Sequence, residues 1–307
     1  MGSSSVFHEL CLHHRKAEID FWYYVTVRMA RLFRPILIGL AVTLAGAIPW
    51  GLLAGVNFKV SPALPWSVPA MGVFLFFYWR FLSATPARRA GLRANSTSPG
   101  QWLWALVAFS FGFAAINATK LVLNTWFDLP VSAPPDIGKV PLASVIAYVF
   151  MLALVAAVTE EAGFRGFMQG PLERSHGPLV AILIGGVVFW IGHILQFGGN
   201  YRLFLISIWY FLAASALMGA IAWLTDSILP SLAAHAVGDF VFTLLTLWAF
   251  AKGENIEKAS SGSSAFSLSI LMAVITLPLS LFALRQLSKC PKSRIADIRC
   301  HNLQSPD

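Results

Sequence analysis

The chain is broken into long runs of apolar residues that carry no charge. The clearest is Leu142 to Val158, seventeen residues without a charge, followed at once by Thr159-Glu160-Glu161-Ala162-Gly163-Phe164-Arg165. A helix needs roughly 20 predominantly apolar residues to cross the hydrocarbon of a bilayer. Eight runs approach this length, at 35–56, 64–83, 102–119, 142–168, 178–198, 203–224, 228–250 and 266–285. Backbone polar groups inside lipid must be satisfied within the segment, so such runs form helices. The expected fold is all-α: a polytopic membrane protein of about eight transmembrane helices. Composition agrees, since 12% of residues are charged against about 25% in soluble domains.

The breaks between runs carry turn residues, among them Ser61-Pro62, Thr85-Pro86, Pro134-Pro135, Gly198-Gly199-Asn200 and Asp226-Ser227. Asp226-Ser227 reads as a helix cap, with Pro230 early in the helix that follows. No internal repeat is visible. Three parts are expected: an amphipathic N-terminal segment over 1–34, a transmembrane domain over 35–288 whose polar residues concentrate in 142–250, and a basic tail over 289–307. Phe21, Trp22, Tyr23 and Tyr24 beside arginines suit a helix lying in the headgroup layer. His8, Cys11, His13 and His14 lack a second pair of ligands downstream and read as surface residues. Cys11, Cys290 and Cys300 form no CxxC. The opening residues match neither a signal peptide nor a myristoylation signal, and Cys300 stands too far from the end for prenylation.

The chain holds 22 Lys and Arg and a net charge of +8. With the N-terminus in the cytoplasm, sixteen of the 22 fall in cytoplasmic segments and six on the other side. Positive charge concentrates on the cytoplasmic side of membrane proteins. The basic balance is therefore a topology signal, with both termini cytoplasmic and a bacterial cell membrane as the expected location. No nucleic-acid partner is needed to explain it.

Ionisable residues inside the runs are few. The fourth run holds Glu160, Glu161 and Arg165, the fifth His193, the seventh His235 and Asp239; the cores of the other five hold none. A charge at mid-bilayer costs about 2.5–3.5 kcal/mol on the insertion scale. Their restriction to three runs predicts that these helices face one shared polar cavity. Glu161 and Arg165 are four apart and can pair on one helix face. Glu160 points about 100° away and is spared for chemistry, with Gly163 leaving space for water or a substrate backbone beside it. His235 and Asp239 are again four apart, so Asp239 can fix the imidazole tautomer. Phe189 and His193 share a face, with Gly192 beside the imidazole. Gly185-Gly186 suits close helix approach. Pro171 is expected to end the fourth helix. Counted from Pro178, His193 lies deeper in the membrane than its expected partners.

Glu160-Glu161-Ala162-Gly163-Phe164-Arg165, Phe189-Trp190-Ile191-Gly192-His193 and His235-Ala236-Val237-Gly238-Asp239 resemble the EExxxR, FxxxH and HxxxN/D motifs of the CPBP family, the CAAX proteases and bacteriocin-processing or self-immunity (Abi) proteins. Order and spacing match over about a third of the chain. The resemblance implies an intramembrane endopeptidase with a conical polar cavity open to the cytoplasm, acting on a membrane-associated or lipidated protein or peptide. It implies Glu160 as the base that activates water, helped by His193, with His235 and Asp239 at the oxyanion. Asp239 stands where some members have Asn. A carboxylate cannot donate a hydrogen bond unless protonated, so the direct contact falls to His235, with Asp239 orienting it. Glu161, Arg165 and Phe189 are then supporting residues.

Other readings use the same residues. Glu160, His193, His235 and Asp239 are all possible zinc ligands, although no HExxH helix is present; no cofactor is the expectation. A proton-coupled transporter could use them as a relay, but no inverted repeat or matched broken spans appear. A non-catalytic scaffold or immunity protein could keep the cavity for a partner.

Overall fold

The structure is a computed structural model. It describes residues 3–129, 140–252, 258 and 260–291, except the side chains of residues 3–26 and of Arg28. The expected interfacial aromatics, His8, Cys11, His13, His14, Lys139, Pro134-Pro135 and the tail beyond Pro291 lie outside what is described.

Helix α1 is Ser3–Val60, with Pro35 and Pro49 inside it. Asn57, wholly buried, turns the chain after it: Nδ2 donates to the carbonyls of Ser61 and Leu64, and Oδ1 accepts from the Ser67 amide. Helix α2 (Ser67–Leu82) then bends by 113° into the short α3 (Pro86–Leu92). Thr85 caps α3 by accepting from the Arg88 amide. Helix α4 (Pro99–Trp126) opens with a capping box between Ser98 and Gln101.

Helix α5 (Leu142–Glu160) passes into a π-helix over Glu161–Gln169 and then into α6 (Gly170–His176), one helical rod of 35 residues. Pro171 does not end it, contrary to expectation. It falls in the first turn of α6, just after the wider π turns. Helix α7 (Pro178–Gly192) ends in a 3-10 turn at Ile194–Phe197. Helices α8 (Tyr201–Ile206), α9 (Ile208–Thr225), α10 (Leu229–Ala251) and α11 (Ser264–Lys289) complete the described chain.

Six described helices are long and apolar enough to cross a membrane, or seven if the bent α2–α3 pair counts as one span. Of the eight expected spans, α2 has 16 residues and α7 has 15, short of the roughly 20 a full crossing takes. Leu37, Leu44, Phe76, Phe77, Val237 and Leu271 are among many large apolar side chains left exposed. In water such a surface would aggregate; in lipid it is solvated. The chain is an all-α, multi-pass integral membrane protein.

α1 packs on the π-helix and α5, α5 on α10, α7 on α9, and α4 along α11. Glycines set the closest approach. A Cβ on Gly39 of α1 would lie 2.7 Å from the Gly163 carbonyl oxygen, and a Cβ on Gly163 would overlap the Thr43 hydroxyl. The space expected beside Glu160 at Gly163 is therefore filled by α1. Small residues at such a crossing let two backbones meet in the membrane. Gly186 plays the expected part at the α7–α9 contact, where a Cβ would meet Leu212 at 2.8 Å; Gly185 has open space instead.

Candidate active site

Adjacent in sequence, Glu160 and Glu161 end in opposite environments. Glu161 is wholly buried. Its Oε1 lies 3.1 Å from Arg165 Nη1 and 3.2 Å from His235 Nδ1; its Oε2 accepts the Ser231 hydroxyl at 2.7 Å. One ion pair and two hydrogen bonds, from two helices, thus converge on one carboxylate. Arg165 is itself 1% exposed, its guanidinium 5.2 Å from the Phe189 ring centre and 5.9 Å from that of Phe164. A buried ion pair survives desolvation only with such added partners. The expected Glu161–Arg165 pair is present, four residues apart even though both sit in the π-helix.

Glu160 instead faces a cavity of about 570 Å³ that is also lined by His193, His235 and Asp239. Glu160 Oε2 is 3.8 Å from His235 Nε2. Asp239 Oδ2 is 3.2 Å from the same nitrogen. His235 therefore spans the two carboxylates: its Nδ1 is held by buried Glu161 and its Nε2 is turned into the cavity. The expected contact of Asp239 with the imidazole is present, at Nε2, and Glu161 adds a second carboxylate at Nδ1. A carboxylate against Nδ1 fixes the ring, whereas Asp239 sits at the nitrogen that faces the site.

His193 caps the C-terminus of α7 and is half-buried. Its Nδ1 is 2.7 Å from the Phe189 carbonyl oxygen. A carbonyl only accepts, so Nδ1 donates and Nε2 is the ring nitrogen left uncommitted by that bond. Phe189 and Phe211 flank the imidazole, with ring centres 4.4 and 4.6 Å away. The apparent mismatch in depth resolves here. The Glu160–Glu161 pair sits midway along its 35-residue rod, and α7 is short, so its end reaches the same cavity.

Ser231 was not singled out from sequence. It stands four residues before His235, the same spacing as His235 to Asp239, so one face of α10 presents all three. A second polar cluster also escaped. Arg93, 5% exposed, places Nη1 3.2 Å from Glu173 Oε2 and Nη2 3.2 Å from Asp226 Oδ1. Asn95 Nδ2 donates to the Asp226 carbonyl oxygen, and the Ile228 amide donates to that of Arg93. Asp226 thus ties α3 to the α9–α10 turn and does not cap α10. Ile228 is the N-cap, without a side-chain cap, and Ser227 before it accepts from the Leu229 amide.

These positions decide what the chain resembles. Residues 142–241 match the family of type II CAAX prenyl endopeptidase Rce1-like proteins. This third of the chain is a CAAX/Rce1-like protease domain of the CPBP superfamily. The Rce1-like domain contains Glu160, Glu161, Arg165, Phe189, His193, His235 and Asp239. No curated protein and no solved structure matches the chain.

Zinc was the alternative chemistry for Glu160, His193, His235 and Asp239. Among the described residues, no group of three or more His, Cys, Asp or Glu is arranged to hold a metal ion. Both nitrogens of His235 already face carboxylate oxygens, and Nδ1 of His193 faces a backbone carbonyl.

Proposed function

We propose that the chain is an intramembrane endopeptidase in which Glu160 activates water against a peptide bond. The observation that carries this reading is the division of labour between neighbouring carboxylates. Glu161 is sealed and held by Arg165, His235 and Ser231. Glu160 faces the cavity with His235 Nε2 at 3.8 Å and His193 on the same wall.

In the proposed reaction, Glu160 takes a proton from water, and His193 Nε2 helps to orient that water. The water oxygen bonds to the peptide carbonyl carbon. His235 Nε2–H donates to the oxyanion that forms, and Glu161 at Nδ1 keeps the ring aimed. Asp239 holds Nε2–H directed into the cavity until the substrate oxygen arrives. The C–N bond then breaks, and Glu160 returns its proton to the departing amine. The substrate is a membrane-associated peptide or protein, with the bilayer as its host.

A Glu160→Gln variant in proteoliposomes tests this reading. Loss of peptide cleavage with an unchanged melting temperature supports it. Cleavage at the wild-type rate overturns it.

A further inference from the structure

The geometry points to a catalytic cavity that opens on the side of the membrane away from the cytoplasm, and so to substrates whose cleaved segment lies there. The substrate half of this inference rests on the proposed endopeptidase reading; the orientation half does not.

The cavity runs from Glu160 and His235 toward Lys120, Asn124, Leu129, Gln196 and Trp209. These belong to the far end of α4, the turn after α7 and the start of α9. Among the described residues, Lys59, Lys120, Arg202, Lys252 and Lys258 stand at that end.

At the other end a polar network crosses the fold, and the separate cavity there, lined by Trp79, Arg89, Leu92, Asn95 and Leu229, does not include Glu160, His193, His235 or Asp239. Arg93 bridges Glu173 and Asp226, and Asn95 and Ile228 complete the network by bonding across to the α9–α10 turn. Beneath it, a Cβ on Gly166 would lie 2.9 Å from the Leu92 carbonyl oxygen, so α3 lies directly on the π-helix. This closed end carries Arg80, Arg88, Arg89, Arg174, Arg285 and Lys289. Gly100 and Cys290 are neighbours there, which places the end of α11 on the same side.

Positive residues mark the cytoplasmic face. Among the described Lys and Arg, Arg31, Arg34, Arg80, Arg88, Arg89, Arg93, Arg174, Arg285 and Lys289 belong to the closed end, against five at the open end. The two sequence expectations, cytoplasmic termini and a cytoplasmic cavity, therefore exclude one another in this fold. The charge bias decides for the termini. Trp50, Phe113, Trp209 and Tyr210 on the cavity wall suit apolar side chains of an extended segment. The substrate is an extracytoplasmic stretch of an exported or membrane-anchored polypeptide, not a lipidated tail in the cytosol.

Cysteine labelling in intact bacterial cells tests the orientation. In a chain with Cys11, Cys290 and Cys300 changed to Ser, three sites are compared: Gln196→Cys at the mouth, Ala156→Cys on the cavity wall, and Ala84→Cys at the closed end. A membrane-impermeant thiol reagent is expected to label the first two in intact cells and the third only after permeabilisation. Labelling of Gln196→Cys only after permeabilisation, or of Ala84→Cys in intact cells, overturns the orientation. New protein termini that appear with the active chain and vanish with Glu160→Gln should map to extracytoplasmic segments. Termini confined to cytoplasmic segments overturn the substrate class. Expected labelling without any cleavage would reject the endopeptidase reading and leave the orientation standing.

Discussion

His235 Nδ1 stands 3.2 Å from the same Glu161 oxygen that Arg165 meets at 3.1 Å. One buried carboxylate thus couples the helical rod of α5 and α6 to α10, and it fixes which way the imidazole faces. Glu160, its neighbour in the chain, is left to the cavity. The cost of burying Glu161 is offset only while its three partners remain.

Arg165→Met removes the guanidinium charge that pairs with Glu161. Breaking a buried ion pair by taking one partner costs about 3–5 kcal/mol. A melting temperature measured in detergent should fall steeply. Arg165→Lys should recover only part of the loss, because the guanidinium lies over the Phe189 ring and a lysine cannot reproduce that planar contact.

Ser231→Ala tests the third partner. A hydrogen bond to a charged group contributes about 1.5–3 kcal/mol, and the hydroxyl donates to Glu161 Oε2 at 2.7 Å. Stability should drop by that order. If Glu161 also aims His235, cleavage should slow at saturating substrate while KM changes little. A melting temperature equal to wild type would show that the bond contributes nothing.

Gly163→Ala should destabilise through overpacking, which costs about 1–3 kcal/mol, because the new methyl meets Thr43 and the Gly39 carbonyl oxygen at 2.6 Å. Thr43→Ala in the same chain should return part of the stability, since it removes the nearest atom. Additive losses in the double variant, measured by thermal unfolding, would contradict the contact.

Much of the site was legible because lipid makes ionisable residues rare. Glu160, His193, His235 and Asp239 stood out against uncharged runs, and all four line one cavity. The Glu161–Arg165 pair followed from helical spacing alone. Ser231 did not stand out, because serine is cheap in a membrane helix and only its distance from His235 marked it. Gly163 was misread because an empty volume on one helix says nothing about the neighbour that fills it; α1 comes from more than a hundred residues away. The π-helix had no local signature, and Pro171 suggested a stop that the helix passes. The Arg93–Asp226 contact joins residues far apart in sequence, so no spacing rule reaches it.

Metal dependence separates two chemistries for the same residues. The placement of His235 between carboxylates predicts that incubation with a strong zinc chelator leaves cleavage unchanged. Loss on chelation, restored by added zinc, would replace glutamate-activated water with metal-activated water.

The central claim is that Glu160 does the chemistry and Glu161 holds the scaffold. The most direct measurement sets Glu160→Gln beside Glu161→Gln in proteoliposomes, reading cleavage and melting temperature on each. The account predicts that Glu160→Gln abolishes cleavage and keeps the wild-type melting temperature, while Glu161→Gln lowers the melting temperature. Cleavage that survives in Glu160→Gln would contradict it.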